Sequence, residues 1–142
     1  MKRIVFLAFA FVMLAATCFA YDGGRLNKYQ DAAEKIMDIY DGEPVPEYRE
    51  LKGLFNPGIA KSLPEEKYGA YIKQVKDRFG AMKEVRFVAF QVFDQVERIS
   101  YLARFTKEES VLIDFAFGKD GKLTRFTLAP FKETQGDRKE GE

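Results

Sequence analysis

The chain has 142 residues, of which 46% are hydrophobic and 15% aromatic, and its formal net charge is +1. This length and composition predict one globular domain, and the near-neutral charge gives no electrostatic support for nucleic-acid binding. The sequence has no histidine and a single cysteine, Cys18, which excludes histidine-based triads and dyads.

The first twenty residues have the pattern of a secretory signal peptide. Two basic residues precede the uncharged apolar run 4–16, and Cys18 and Ala20 place small side chains before a cut at Tyr21. The apolar run is shorter than the ~20 residues of a membrane-spanning helix, so cleavage is favoured over an uncleaved anchor. We expect an exported protein, periplasmic or extracellular, with no stable membrane insertion after cleavage.

Cleavage would remove the sole cysteine and leave a chain without disulfides. Loss of Lys2 and Arg3 with the signal would also change the net charge from +1 to −1. Lipid attachment at Cys18 is disfavoured, because Ala15 and Thr17 stand where a lipoprotein signal has a leucine and a small residue. The mature protein must therefore be held together by its core alone.

Composition divides the chain into four parts. The last residues are nearly all polar, which is typical of a disordered end. The parts are a signal peptide (1–20), a linker (21–24), a single α+β domain (25–131) and a polar disordered tail (132–142).

Three helices are predicted at the start of the domain. In each, apolar residues recur every three or four positions. Asn56-Pro57-Gly58 is expected to break the chain after the second helix, and Ser62 with Glu65 predicts a capping box for the third. The helices are expected at Leu26–Tyr40, at Glu47–Phe55 and from the Ser62 cap to Phe79.

Four strands follow, rich in β-branched and aromatic residues. The first is apolar on both faces, which favours a central or doubly covered strand. A three-residue loop at 107–109 would pair Phe105 with Val111, and Gly121 marks a tight hairpin after Gly118. The predicted strands are Glu84–Phe93, Glu97–Thr106, Ser110–Phe117 and Lys122–Leu128.

Short turns predict antiparallel neighbours, so the fold class is α+β, with N-terminal helices packed on a curved four-stranded antiparallel meander. This order, with the segments Phe115–Arg125 and Leu128–Phe131, resembles the NTF2-like (cystatin-like) superfamily, in particular its small exported bacterial members of unknown function. The resemblance implies a cone of sheet and helices. Members often have a strand before the last helix, but Asn56–Lys61 is too short and broken to supply one, which predicts a shallow pocket.

No catalytic residue set, cofactor or metal site is predicted, since the mature chain lacks both histidine and cysteine. By the resemblance to isomerase members, a carboxylate base with tyrosine donors could act inside the cone. Against this, alternation places Asp114 opposite Ile113, where it would face solvent and pair with Arg104 or Arg125. The arginines Arg98 and Arg104 share a face with Ser100 and could bind an anion, although such arginines usually form a solvated face. The candidate ligand-binding residues are Tyr29, Tyr68, Tyr101 and Asp114.

Three hypotheses for function follow. The first is a non-enzymatic exported domain that binds a small apolar ligand or a protein partner through the cone. The second is a homodimeric structural or assembly module that uses the outer face of the sheet. The third is an enzyme that uses Asp114 and Tyr101. The candidate dimer face is Leu102, Leu112 and Ala116, with Leu128.

Overall fold

The computed structural model describes residues 24–41 and 44–132. The predicted signal peptide lies outside the described residues, as do all of the predicted linker but Gly24 and all of the predicted tail but Lys132. Within the described residues, helices are followed by a four-stranded antiparallel sheet, which confirms the predicted α+β class.

The helices lie before the sheet in the chain. Helix α1 buries the apolar stripe that predicted it, including Ala33, Ile36 and Tyr40. The second predicted helix is shorter than expected, since one α-helical turn gives way to a 3-10 turn. The bounds are residues 24–41 for α1, Tyr48–Leu51 for α2 with the 3-10 turn Lys52–Leu54, Pro57–Ser62 for α3 and Glu65–Phe79 for α4.

The expected break at Asn56-Pro57-Gly58 does end the second helical segment, but the same residues also begin α3, a helix that was not predicted. Asn56 is the N-cap, and its side-chain oxygen accepts a hydrogen bond from the Ile59 amide at 2.9 Å. Pro57 occupies the first helical turn, where its missing N–H costs nothing. A proline that would break a helix interior therefore begins one here.

The predicted capping role of Ser62 is also wrong. Ser62 belongs to the last turn of α3, and its hydroxyl donates to the Gly58 carbonyl at 2.9 Å. The residue that precedes α4 is Pro64, which makes no side-chain cap. A capping box is found instead at α2, between Glu47 and Glu50.

The strands form a simple meander in the order β1-β2-β3-β4, as predicted. The turn between the last two strands has Gly121 at φ +78°, in the left-handed region that the hairpin signal predicted. The strands are β1 Met82–Val92, β2 Val96–Phe105, β3 Val111–Gly118 and β4 Leu123–Pro130.

The register of β2 on β3 differs from the prediction by two residues. Val111 lies opposite Ala103, whereas the predicted partner, Phe105, pairs with Met82 of β1. The amides of Thr106 and Lys107 donate to the carbonyls of Ala81 and Phe79 at 2.9 Å. These bonds hold Thr106 and Lys107 against the end of α4. The two residues therefore cannot extend the ladder between β2 and β3, and the loop that joins these strands is longer than three residues.

The helices cover one face of the sheet, called here the inner face. The ring of Phe105 contacts Tyr40 of α1 and Phe79 of α4, with centroid distances of 6.2 Å to Tyr40 and 5.6 Å to Phe79. Tyr71 of α4 lies edge-on to Phe126 of β4 at 5.8 Å. The fully buried inner-face residues of the central strands are Ile99, Val111, Ile113, Phe115 and Phe117.

The two edges of the sheet differ. Strand β1 is an edge strand, so the prediction of a central or doubly covered strand is wrong, because a meander leaves its first strand with one neighbour. The β4 edge is partly occupied: Phe55 forms a parallel bridge with Leu123, and the Asn56 amide donates to the Leu123 carbonyl at 2.9 Å. Strand β4 also ends in Pro130, which has no N–H to offer.

Candidate functional site

Three of the predicted ligand-binding residues are core side chains. Tyr29 stacks on Phe117 with centroids 4.3 Å apart, and Tyr101 lies edge-on to Phe115 at 6.0 Å. The Tyr68 hydroxyl donates to the Pro46 carbonyl at 2.6 Å. All three tyrosines belong to the buried core on the helix side of the sheet.

A pair of tyrosine hydroxyls lies between α1 and α4. The hydroxyl oxygens of Tyr40 and Tyr71 are 2.6 Å apart, so one donates to the other. Burial raises the pKa of Tyr71 to about 12 and also raises that of Tyr40. The pair therefore stays neutral at physiological pH, and it serves as a polar link between two helices rather than as a base.

The fourth predicted residue, Asp114, lies on the opposite face. In the ladder it faces Ser100, whose hydroxyl donates to the Asp114 carboxylate at 2.5 Å, while the Arg98 Nε lies 3.9 Å away. Its neighbours are therefore Ser100 and Arg98, not the expected Arg104 or Arg125. The sheet separates Asp114 from Tyr101, so the structure does not bring together the two groups of the enzyme hypothesis.

Three of the candidate dimer residues, Leu102, Leu112 and Ala116, share the outer face of the sheet, but Leu128 lies opposite Ile113 and packs against the core on the inner face. Leu102 lies opposite Leu112, and both are half-buried, while Ala116 is buried. Charged side chains flank them on this face. Arg104 donates to Glu84 at 3.0 Å, and Arg125 lies opposite Ala116. The apolar patch of the outer face is therefore small and interrupted by charge.

The largest exposed apolar residues lie on β1. Four of its side chains are between 41% and 63% exposed. Irregularities in the pairing with β2 lie between Met82 and Glu84 and between Phe87 and Ala89, and the second leaves Val88 without a partner in the ladder. These exposed residues are Val85, Phe87, Val88 and Val92, with Phe93 just beyond the strand. They are called here the β1 edge.

Sequence reasoning missed the β1 edge, although the signal was present. The apolar residues on both faces of the first strand were interpreted as burial within one chain. The predicted meander already required that strand to lie at an edge. The two observations together indicate an apolar edge, which a single chain leaves exposed.

Comparisons with known proteins give no relative for this chain: no family model, curated protein or solved structure matches it. None of the helices in the described part of the chain is long and apolar enough to cross a membrane. Among residues 24–41 and 44–132, no cluster of three or more cysteine, aspartate or glutamate side chains could hold a metal ion. The function of this protein is therefore inferred from its own surface.

Proposed function

We propose that this protein is an exported, non-enzymatic association module that forms a homodimer through its β1 edge. The observation that carries the proposal is the exposure of valine and phenylalanine side chains along one long edge strand. The signal-like residues 1–20 support export. The packing of helices on one face of an antiparallel meander supports a variant of the NTF2-like cone.

An exposed edge strand favours strand pairing between chains. Its outward backbone N–H and C=O groups are available to another strand, and natural proteins usually protect such an edge with charge, proline or a covering segment. Strand β1 extends over eleven residues, and Val85, Phe87 and Val88 are exposed near its centre. Pairing would satisfy backbone groups and remove apolar side chains from water at the same time.

The charges on β1 favour a second copy of the same chain as the partner. Glu84 and Arg86 are two residues apart, so they point to the same face of the strand. In an antiparallel pair centred on Val85, residues 82–88 of the two copies are paired, and Glu84 of each copy lies opposite Arg86 of the other. Such opposite-charge pairs across strands are favourable, and a two-fold axis forms both at once.

The test is native mass spectrometry of the protein after export from a bacterial host. We expect a dimer, and we expect the double substitution Val85→Lys/Val88→Lys to give a monomer. Both side chains are partly exposed in the single chain, so lysine can reach water there, but in the dimer it would be buried against its own copy. The matched control is Thr127→Lys/Ala129→Lys, which adds the same charge to exposed positions of β4.

Two results would contradict the proposal. One is a wild-type protein that stays monomeric at every protein concentration measured. The other is a dimer that survives the β1 substitutions but is split by Leu102→Glu, which would place the interface on the outer face of the sheet. Circular dichroism of each variant shows that a change in mass is not caused by unfolding.

A further inference from the structure

A cleft lies at the end of the sheet where α1 passes over two turns. The turn between β1 and β2 forms one side, and Gly118 and Lys119 of the β3–β4 turn form the other, with Arg25 of α1 above. Its volume is about 330 Å³. This is near the lower limit of ligand pockets, which begin at about 300 Å³, so the cleft suits a small molecule.

A buried carboxylate forms part of the wall of this cleft. Glu97 lies between Val92 and Phe117 on the inner face, and its side chain is 8% exposed. One oxygen pairs with Arg25. The other, Oε2, has no hydrogen-bond partner among the described residues. A buried carboxylate oxygen without a donor is costly, so a ligand that supplies a donor there gains affinity.

Access to Glu97 depends on one flexible side chain. The Arg25 side chain is 55% exposed, so it can move outward when another cation compensates the buried carboxylate. A ligand ammonium can then take the place of the guanidinium beside Glu97. Arg25 would keep its charge in the cleft, next to Lys119, where both can donate to an anionic group.

The remaining lining fixes the kind of ligand. Two acidic side chains, Asp94 and Glu97, and two basic ones, Arg25 and Lys119, lie around the cleft together with exposed apolar groups. Val92 is 63% exposed and Phe93 is 50% exposed. A molecule with an ammonium, a carboxylate and a short apolar side chain matches all three features.

We propose that this cleft binds a small zwitterion of the α-amino-acid class with an apolar side chain. Its ammonium donates to Glu97 and Asp94, its carboxylate accepts from Lys119 and Arg25, and its side chain packs on Val92 and Phe93. Glu97 alternates with Ile99 and Tyr101 along β2, which accounts for its place on the buried face. A β1 dimer centred on Val85 pairs residues 82–88, so Val92 and Phe93 stay open to the ligand and the two proposals are tested separately.

The test is a titration of the isotope-labelled protein with L-leucine, followed by amide chemical shifts. We expect saturable shifts at 93–97 and at 118–119. N-acetyl-L-leucine lacks the ammonium and L-leucinamide lacks the carboxylate, so each should bind at least about tenfold more weakly, as expected for the loss of a charge-assisted hydrogen bond. No shift with L-leucine at about 10 mM, or equal binding of the acetylated form, would overturn the proposal, since even a weak small-ligand site has a Kd in the millimolar range.

Two variants connect the binding to named side chains. Glu97→Gln keeps the shape but removes the charge, and we expect it to weaken leucine binding at least about tenfold. Lys119→Ala removes an exposed side chain with no role in the core, so it stays informative if Glu97→Gln does not fold. Lys76→Ala, an exposed lysine on α4, is the matched control. Binding that is equal in Lys119→Ala and Lys76→Ala would contradict the assigned carboxylate contact.

Discussion

At the scale of single residues, Gly80 shows how one position connects the helices to the sheet. It ends α4 with φ +80°, in a region that other residues rarely adopt. A Cβ atom added at this position would collide with the Thr106 hydroxyl. That hydroxyl accepts a hydrogen bond from the Ala81 amide at 3.1 Å, so it cannot move without loss.

We therefore expect Gly80→Ala to lower the free energy of unfolding by about 1–3 kcal/mol, the usual cost of a strained backbone position. The measurement is a urea unfolding curve. Gly69→Ala is the control, because Gly69 lies exposed inside α4 with open space around its Cα atom. Alanine should stabilise that helix by up to ~1 kcal/mol. Equal effects of the two substitutions would show that the conformation of Gly80 is not required.

The sequence correctly predicted the end of the last helix at Phe79 and the tight turn at Gly121, because glycine readily adopts the conformations that helix ends and tight turns require. The sequence did not predict the hydrogen bond that Ser62 makes within α3. A serine three residues before a glutamate satisfies the capping pattern, but the same hydroxyl can bond back to a carbonyl four residues earlier when the chain is already helical. Which bond forms depends on α3, and a proline-glycine pair conceals that helix in the sequence.

At the scale of elements, α3 depends on the cap at its first turn. We expect Asn56→Ala to destabilise the protein by about 1 kcal/mol, because the Ile59 amide loses its acceptor. Asn56→Asp keeps an acceptor oxygen and should restore most of that stability. Thermal or urea unfolding of both variants tests this, and an aspartate variant as unstable as the alanine variant would show that the cap bond is not the cause.

The elements also show why register was harder to predict than strand identity. The alternation of Ile99, Tyr101 and Ala103 correctly assigned the buried face of β2. A shift of two residues keeps every side chain on its face, so the hydrophobic pattern cannot detect it. The observed register accompanies bonds from the amides of Thr106 and Lys107 to the carbonyls of Ala81, just after α4, and of Phe79, its last residue. Such a contact between distant segments leaves no local signal in the sequence.

At the scale of the whole molecule, buried tyrosines make the folded state less stable at alkaline pH. The pKa values of Tyr68, Tyr71 and Tyr101 are raised to about 12, mainly by burial, with Glu50 near Tyr68 and Glu34 near Tyr101 adding to the rise. The ordinary tyrosine value is 10.0. In the folded state these phenols therefore stay neutral at pH values at which the phenols of the unfolded chain have begun to ionise. Their stabilising contribution is complete below pH 10 and is lost as the pH rises through about 12.

We expect the urea midpoint to fall between pH 10 and pH 12, with tyrosinate absorbance rising as the protein unfolds. In the double variant Tyr40→Phe/Tyr71→Phe, two of the titrating groups are absent, so the fall should be smaller. A midpoint that stays constant up to pH 12, or an equal fall in the double variant, would contradict this assignment.

The difference between the two sheet edges also sets the size that an assembly can reach. Within the described residues, Phe55 bridges the start of β4 and Pro130 ends that strand, so the open stretch of the β4 edge is shorter than β1. In the proposed dimer, a two-fold axis pairs the two β1 strands with each other, so the exposed centre of β1 is no longer open to a third chain. An apolar strand that could otherwise start a fibril is thereby paired within a closed dimer, and the assembly stops at two chains.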